Sequence, residues 1–180
     1  MKKLISMLLI LFVLMNTAVF AQETDQSKAV FELQSLGILR ADENGDLNLD
    51  KEMTRAEFAA VVVRLLNMEL VADSVKGERI FTDVPADAWY TSYVNLLYHF
   101  DIMHGDGEGA FRPDDNVTQN EVVKVLLCCI GYGTVAYQQG GYPNGYIAMG
   151  SSLGLYKNVN ASASSGAILR SDVAQMVYNT

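Results

Sequence analysis

The chain has 180 residues, of which 50% are hydrophobic, and a formal net charge of −8 at neutral pH. A chain of this length accommodates one ordinary domain or a few small repeats, and its apolar content is sufficient for a packed core. The acidic balance argues against a general nucleic-acid or anionic-membrane binder, because such proteins present a basic face.

The N-terminal residues 1–21 have the pattern of a secretory signal peptide. Lys2 and Lys3 precede an apolar run, and a site of small residues ends at Ala21. We therefore expect cleavage after Ala21 and export of the mature chain. An uncleaved membrane anchor is the alternative. No later segment is apolar enough to cross a bilayer, so no membrane contact is expected once the peptide is removed.

An internal repeat organises the rest of the chain. Residues 29–67 align with residues 93–131 without a gap, at an offset of 64 positions. The identical pairs include Val30/Val94, Ile38/Ile102, Asp42/Asp106, Gly45/Gly109, Asp50/Asp114, Thr54/Thr118 and Glu57/Glu121. A looser third copy has "ILRSDVAQMVYN" where the first has "MTRAEFAAVVVR". A period of this order, with matching apolar positions, is typical of repeat proteins.

Each copy has the pattern of two helices joined by a loop. Apolar residues recur at helical spacing, and a capping box (Thr54 with Glu57, Thr118 with Glu121) begins the second helix of the first two copies. The sequence predicts an all-α protein of three tandem helix-loop-helix units packed around one core. The predicted bounds are residues 25–68, 81–131 and 142–180, with the first half of the first unit degenerate and the third unit degenerate or truncated.

No metal or cofactor site is expected. The alternating acids and amides of residues 41–57 resemble a calcium loop, but the sixth and twelfth positions hold Leu47 and Met53 instead of glycine and an acid. Neither histidine has zinc-ligand spacing with the adjacent Cys128 and Cys129. No nucleophile motif is present, so we expect no enzyme, although a paired-carboxylate glycosidase remains an alternative.

Three segments are distinctive: "FTDVPADAWY" (81–90), "GAFRPDD" (109–115) and "TRAE" (54–57). In these segments the chain resembles the S-layer homology domains of bacterial surface proteins. The resemblance implies three modules around a pseudo-threefold axis. It also implies that the protein anchors an exported protein to the cell wall by binding an acidic, often pyruvate-bearing, secondary polysaccharide associated with peptidoglycan, in grooves between modules.

The resemblance also assigns candidate ligand residues. The arginine of the Thr-Arg-Ala-Glu motif is the family's main contact to the acidic group, which maps to Arg55 and Arg170, whereas Gln119 stands in the second copy. The capping box explains Thr54 and Glu57 but not Arg55, because a cation at a helix start opposes the helix dipole, costing about 0.3–1 kcal/mol.

An arginine beside free backbone N–H groups would make an anion site. The alternative is a surface arginine in an unimportant ion pair. The anion-site interpretation requires both arginines to lie at clefts between units, without carboxylates of the chain as partners.

Trp89 has two interpretations. The favoured one places its ring in the core, as the anchor of the first helix of the second unit. The other makes the ring a platform for a sugar, with Tyr142, Tyr146 and Tyr156 as weaker candidates for the same role.

The sequence thus predicts a secreted protein of the cell wall or surface layer. The alternative function is a degenerate surface repeat array that mediates protein–protein contacts without binding glycan, which the departures at Gln119, Asn120 and Leu169 favour. The chain is either a fragment whose C-terminal effector domain is missing or a short protein with a frayed end.

Overall fold

The computed structural model describes residues 26–160 and 166–180. The predicted signal peptide, residues 1–21, lies outside the described residues. Within these ranges, no helix combines the length and the apolar character that a bilayer-spanning segment requires.

The described residues are helical and include no β-strand, which confirms the all-α prediction. Three isolated β-bridges are the only ladder contacts within the described ranges. The helices are α1 (residues 26–35), α2 (Arg55–Leu65), α3 (Glu69–Ala72), α4 (Thr91–His99), α5 (Gln119–Cys129), α6 (Gly133–Gln138), α7 (Asn144–Ser152) and α8 (Arg170–Tyr178), with a 3-10 turn at Asp73–Val75.

Helices α2 and α5 begin as the capping boxes predict. Thr54 accepts a hydrogen bond from the backbone N–H of Glu57, whose carboxylate accepts from the backbone N–H of Thr54, and Thr118 and Glu121 repeat this exchange. The two helices start and end at the same offset of 64 residues. Helix α8 has no such cap, since its N-cap residue Leu169 makes no side-chain capping bond.

The sequence analysis missed two short helices. Helices α3 and α6 lie between the predicted bounds of the three units, and they begin at positions that the repeat alignment pairs, Glu69 and Gly133. A helix of one or two turns contains too few residues for an amphipathic period to be recognised. Both helices pack against neighbouring elements, α3 against α4 and α6 against α5 and α7.

The centre of the molecule is a closed cycle of three backbone hydrogen bonds. The N–H of Met53 donates to the carbonyl of Ile168 (3.1 Å), that of Ile168 to Val117 (3.1 Å), and that of Val117 to Met53 (2.9 Å). Each of these side chains is fully buried. The three residues occupy one equivalent position, two before the first residue of α2, α5 or α8, so the starts of these helices converge on one point of the core.

Candidate binding clefts

Two clefts open where the start of one of these helices meets the loop of the next copy. The Arg55 cleft, of ≈ 180 Å³, is lined by Arg55, Phe58, Ile102, Met103, His104, Gly105, Arg112, Val117, Glu121, Lys124, Val125 and Tyr142. The Arg170 cleft, of ≈ 630 Å³, is lined by Arg40, Ala41, Asp42, Glu43, Asn48, Glu57, Ala60, Val61, Arg64, Trp89 and Arg170. In the repeat alignment, most residues that line one cleft are paired with residues that line the other.

Arg55 is 8% exposed and joins two copies through its guanidinium group. Its Nε donates to the carbonyl of Phe111 (2.8 Å), its Nη2 to the carbonyl of His104 (2.8 Å), and its Nη1 contacts Oε1 of Glu121 (3.1 Å). The guanidinium carbon also lies 4.7 Å from the centre of the Phe111 ring. Three of the five guanidinium N–H donors are used in these bonds.

Arg170 repeats this arrangement with fewer contacts. Its Nε donates to the carbonyl of Leu47 (2.8 Å), and its Nη1 lies 3.0 Å from Oε1 of Glu57. Leu47 is the alignment partner of Phe111, and Glu57 is that of Glu121. The same geometry therefore recurs at two of the three junctions between copies.

Burial affects the electrostatics of Arg55. It lowers the pKa of the Arg55 guanidinium, the carboxylate of Glu121 opposes this shift, and the nearby charge of Arg112 adds to it. A guanidinium group nevertheless stays protonated at neutral pH, because its ordinary pKa lies several units higher. The cleft therefore has a permanent positive charge.

The structure corrects two expectations about these arginines. Both lie at clefts between copies, as predicted, but both are paired with a glutamate of the chain. The backbone N–H groups at the helix starts are also occupied. Those of Arg55 and Ala56 donate to the carbonyls of Asp115 (2.9 Å) and Pro113 (3.0 Å). The loop that precedes α5 in the second copy thus accepts hydrogen bonds from the backbone N–H groups that were expected to bind an anion.

Thr54 and Glu57 lie where the capping box requires, and Glu57 additionally holds Arg170. Gln119 takes the equivalent position in α5 and is buried. Asp172 occupies in α8 the position that Glu57 has in α2 and Glu121 in α5. Its carboxylate accepts hydrogen bonds from Gln26 and Asn160. The participation of Arg55, Arg170, Gln119, Trp89, Thr54 and Glu57 in ligand binding stays a prediction.

Trp89 is not a core residue. It precedes α4, and 58% of its surface is exposed. Its ring contacts Tyr90 and Tyr93 edge-on, so only one side of it is supported by the fold. The core interpretation was wrong because the apolar anchors of α4 are Val94, Leu96 and Leu97, which the helix start at Thr91 places on the inner face.

Trp89 and Tyr142 occupy corresponding positions in the two clefts. Tyr142 is half-exposed, lies edge-on to Tyr146, and has the ammonium group of Lys124 5.6 Å from its ring centre. Each of the two aromatic residues precedes the first helix of its copy. Their shared position indicates that an exposed ring at the cleft is a repeated feature.

The two clefts differ in charge. The Arg55 cleft has Arg55, Arg112 and Lys124 against the single carboxylate of Glu121. The Arg170 cleft has three arginines against three carboxylates, those of Asp42, Glu43 and Glu57. The sequence analysis did not single out Lys124, although its position one turn after Glu121, on the same helix face, was a usable signal.

The acids of the first loop serve the loop itself. Asp42 accepts hydrogen bonds from the backbone N–H groups of Asn44 (2.9 Å) and Asp46 (3.0 Å) and from the side chain of Asn48 (2.9 Å). The bond from Asn48, followed by those from the backbone, lowers the pKa of Asp42. Asp106 accepts the two equivalent backbone bonds in the second copy. The acid–amide alternation thus stabilises a turn.

Fold and clefts together define a helical repeat protein with binding clefts at the junctions between copies. Residues 80–123 match the S-layer homology domain family. This stretch contains α4, the Arg112 loop and the start of α5. The chain therefore carries an S-layer homology domain at residues 80–123.

Relatives with assigned names extend the comparison. The chain is 31% identical, over 87% of its length, to "Middle cell wall protein" of Brevibacillus brevis, and 34% identical, over 74% of its length, to "Surface layer protein" of Brevibacillus choshinensis. It is 37% identical, over 43% of its length, to "Amylopullulanase" of Thermoanaerobacterium thermosulfurigenes. The chain spans only 14%, 12% and 4% of these three proteins, respectively.

Proposed function

We propose that this chain is a wall-anchoring module. It holds an exported protein at the bacterial surface by binding an acidic secondary cell-wall polysaccharide, of the pyruvate-bearing type, in the clefts between its copies. The S-layer homology domain and the similarity to cell-wall and surface-layer proteins support a secreted protein of the cell wall and surface layer. The acidic ligand is the finer part of the proposal.

The Arg55 cleft is the observation that carries the acidic ligand. Three cationic side chains and one carboxylate line it, in a chain whose formal net charge is −8. Arg112 also lies 3.6 Å from the carboxylate of Asp115, so Lys124 is the cation of the cleft that lacks an ion pair within the described residues. Because most of the surface repels an anion, a local excess of positive charge directs an acidic group to this cleft. The pairing of Arg55 with Glu121 does not meet the condition set for an anion site made by Arg55 alone. The proposal therefore depends on Lys124 and Arg112 in the same cleft, together with the two Arg55 N–H donors that no carbonyl or carboxylate of residues 26–160 and 166–180 uses.

The arrangement of the three copies is part of the same proposal. We infer a pseudo-threefold packing of the units, which the cycle of hydrogen bonds among Met53, Val117 and Ile168 supports. Such packing places equivalent residues at each junction, and the Arg–Glu pairs at the two clefts follow that pattern.

Anchoring implies a cargo. The relatives named as cell-wall and surface-layer proteins are several times longer than this chain, and the similar part of the amylopullulanase is 4% of that enzyme. We therefore propose that these residues anchor and do not catalyse. The anchored part is then an effector domain of the same protein.

Retention on purified wall sacculi tests the proposal. The mature protein should sediment with intact sacculi and remain in the supernatant when the acidic polymer has been extracted from them. Circular dichroism should show a folded helical protein in both samples. Full retention on the extracted sacculi would contradict the acidic ligand.

A second candidate is a degenerate repeat array that mediates protein contacts at the cell surface. The pairing of both arginines with glutamates favours it, because a paired guanidinium has fewer donors for a ligand. A folded protein that binds intact sacculi only at background level would select this candidate.

A further inference from the structure

A second cavity adjoins the Arg55 cleft. It has a volume of ≈ 440 Å³ and is lined by Phe100, Asp101, Ile102, His104, Lys124, Cys128, Gly131, Gly133, Thr134, Tyr137 and Tyr146. Ile102, His104 and Lys124 line both spaces, so the cavity and the cleft share a wall. The repeat alignment shows why this space is open.

In the first copy, a carboxylate occupies the corresponding place. Glu69 contacts Arg40 (2.6 Å) and Arg64 (3.2 Å) and accepts a hydrogen bond from the hydroxyl of Tyr93 (3.2 Å). The network joins the loop, α2, α3 and α4 on one side of the Arg170 cleft. The Glu69 side chain thereby fills this part of the first copy.

The second copy lacks every charged member of that network. Glu69 corresponds to Gly133, Arg40 to His104 and Arg64 to Cys128, while the tyrosine is kept as Tyr146. A Cβ atom at Gly133 would lie 2.8 Å from the Sγ atom of Cys128, so this position does not accept a side chain without a shift. The second copy therefore has a cavity at the place where the first copy has the Glu69 side chain and its two arginine partners.

The lining of the cavity suits a sugar ring. Tyr137 is 66% exposed and Phe100 is half-exposed, so aromatic surface is available to the C–H face of a pyranose. Asp101 and His104 form a 2.7 Å pair at the rim, which offers donors and acceptors to hydroxyl groups. Lys124 stands between the cavity and the cleft, where its ammonium group can contact an acidic substituent from either side.

We propose that this cavity is a second saccharide subsite, which binds the sugar next to the acid-bearing sugar held in the Arg55 cleft. The inference rests on the proposed function and deepens it. The Arg55 cleft binds the acidic substituent, and the cavity binds the ring of the neighbouring residue against Tyr137.

Calorimetric titration with two synthetic probes tests the subsite. The first is a pyranose monosaccharide bearing a pyruvyl acetal, and the second is a disaccharide with the same acidic sugar at one end. The disaccharide should bind the wild-type protein about tenfold more tightly, as one added aromatic contact allows. Tyr137→Ala should abolish this difference and leave the affinity for the monosaccharide unchanged.

Asp73→Ala is the matched control. Asp73 is the alignment partner of Tyr137 in the first copy, so this change should leave the affinity for both probes unaltered. A disaccharide that binds no more tightly than the monosaccharide would overturn the subsite alone, as would a Tyr137→Ala variant that keeps the difference. If neither probe binds the folded wild-type protein, the proposed function fails together with the subsite.

Discussion

The Arg55 and Arg170 clefts share a positioning apparatus and differ in what surrounds it. In both, an arginine at a helix start donates to a backbone carbonyl of the next copy and pairs with the capping-box glutamate of that copy. In both, an exposed aromatic ring stands at the edge, Tyr142 in one and Trp89 in the other.

The surroundings diverge at a few aligned positions. Lys124 of the Arg55 cleft corresponds to Ala60 of the Arg170 cleft, and Gly133 corresponds to Glu69. The first cleft thereby gains a cation and an adjoining cavity, whereas the ion-pair network of Glu69 with Arg40 and Arg64 bounds one side of the second. The comparison separates a shared part, the arginine–glutamate pairs, from a variable part, the residues around them, on which the proposed choice of ligand depends.

The largest expected effect is a difference in the free energy of unfolding between variants of the two junction arginines, Arg55 and Arg170. Arg55→Ala should lower the free energy of unfolding by about 3–5 kcal/mol, because it leaves the buried carbonyl of Phe111, the partly buried carbonyl of His104 and the partly exposed carboxylate of Glu121 without their partner. Arg170→Ala should cost less, about 2–3 kcal/mol, since Arg170 bonds to one carbonyl and Glu57. Urea unfolding followed by circular dichroism measures both.

Arg112→Ala is the control for this pair of variants, because Arg112 is an exposed cation of the Arg55 cleft. Its loss should change the free energy of unfolding by no more than about 0.5 kcal/mol. Equal losses at Arg55 and Arg170 would contradict the difference in their contacts.

The next effect concerns charge in the Arg55 cleft. Lys124→Ala should weaken retention on intact sacculi about fivefold to tenfold, because one charge-assisted contact to the acidic polymer is lost. Lys124→Arg should keep retention near the wild-type level. A sedimentation assay over a range of sacculus concentrations gives these values.

Lys51→Ala provides the comparison, because Lys51 is exposed and lines neither cleft. A loss of retention as large as that of Lys124→Ala would mean that net charge, and not the Arg55 cleft, governs binding.

Trp89→Ala examines the Arg170 cleft. We expect weaker retention by about threefold to tenfold, because the exposed ring is lost as a stacking surface. The free energy of unfolding should fall by less than about 1 kcal/mol, since the side chain is mostly outside the core. A loss of about 3 kcal/mol or more would restore the core interpretation, because truncation of a buried tryptophan has that effect.

The smallest expected effect is the loss of stability when the loop acid Asp42 or its partner in the second copy, Asp106, is replaced. The folded-state pKa of Asp42 is lowered, so its carboxylate stabilises the protein above the ordinary pKa of 3.8, and this contribution disappears as the pH falls through the lower folded-state value. Asp42→Asn should therefore destabilise the protein at neutral pH, and the difference should vanish in acid. Asp106→Asn should have a smaller effect, because Asp106 accepts two of these hydrogen bonds instead of three. Urea unfolding of both variants and of the wild-type protein, at neutral pH and in acid, measures these differences in the free energy of unfolding.

The local features of the fold were predictable from sequence. The capping boxes at Thr54 and Thr118, the all-α class and the glycine turns follow from interactions between residues a few positions apart. The offset that aligns the first two copies also holds for α3 and α6, although their short lengths hid both helices.

The site was predictable only in part. The positions of Arg55 and Arg170 at junctions were anticipated through the family resemblance, but their glutamate partners were assigned to capping alone. Glu57 and Glu121 perform both functions, because each carboxylate accepts from its own N-cap residue and from an arginine of another copy. No spacing in the sequence indicates a contact between residues 66 or more positions apart.

The sequence by itself determined where the helices α2 and α5 begin and which residues recur between the copies. These properties depend on hydrogen bonds and periodicities that span a few residues. Only the tertiary structure decided that Trp89 is exposed and that loop carbonyls accept hydrogen bonds from the backbone N–H groups at the helix starts. It also decided that a cavity opens beside Gly133, whereas Glu69 places ion-paired side chains at the aligned position. Each of these depends on which surfaces meet when segments far apart in the chain pack together.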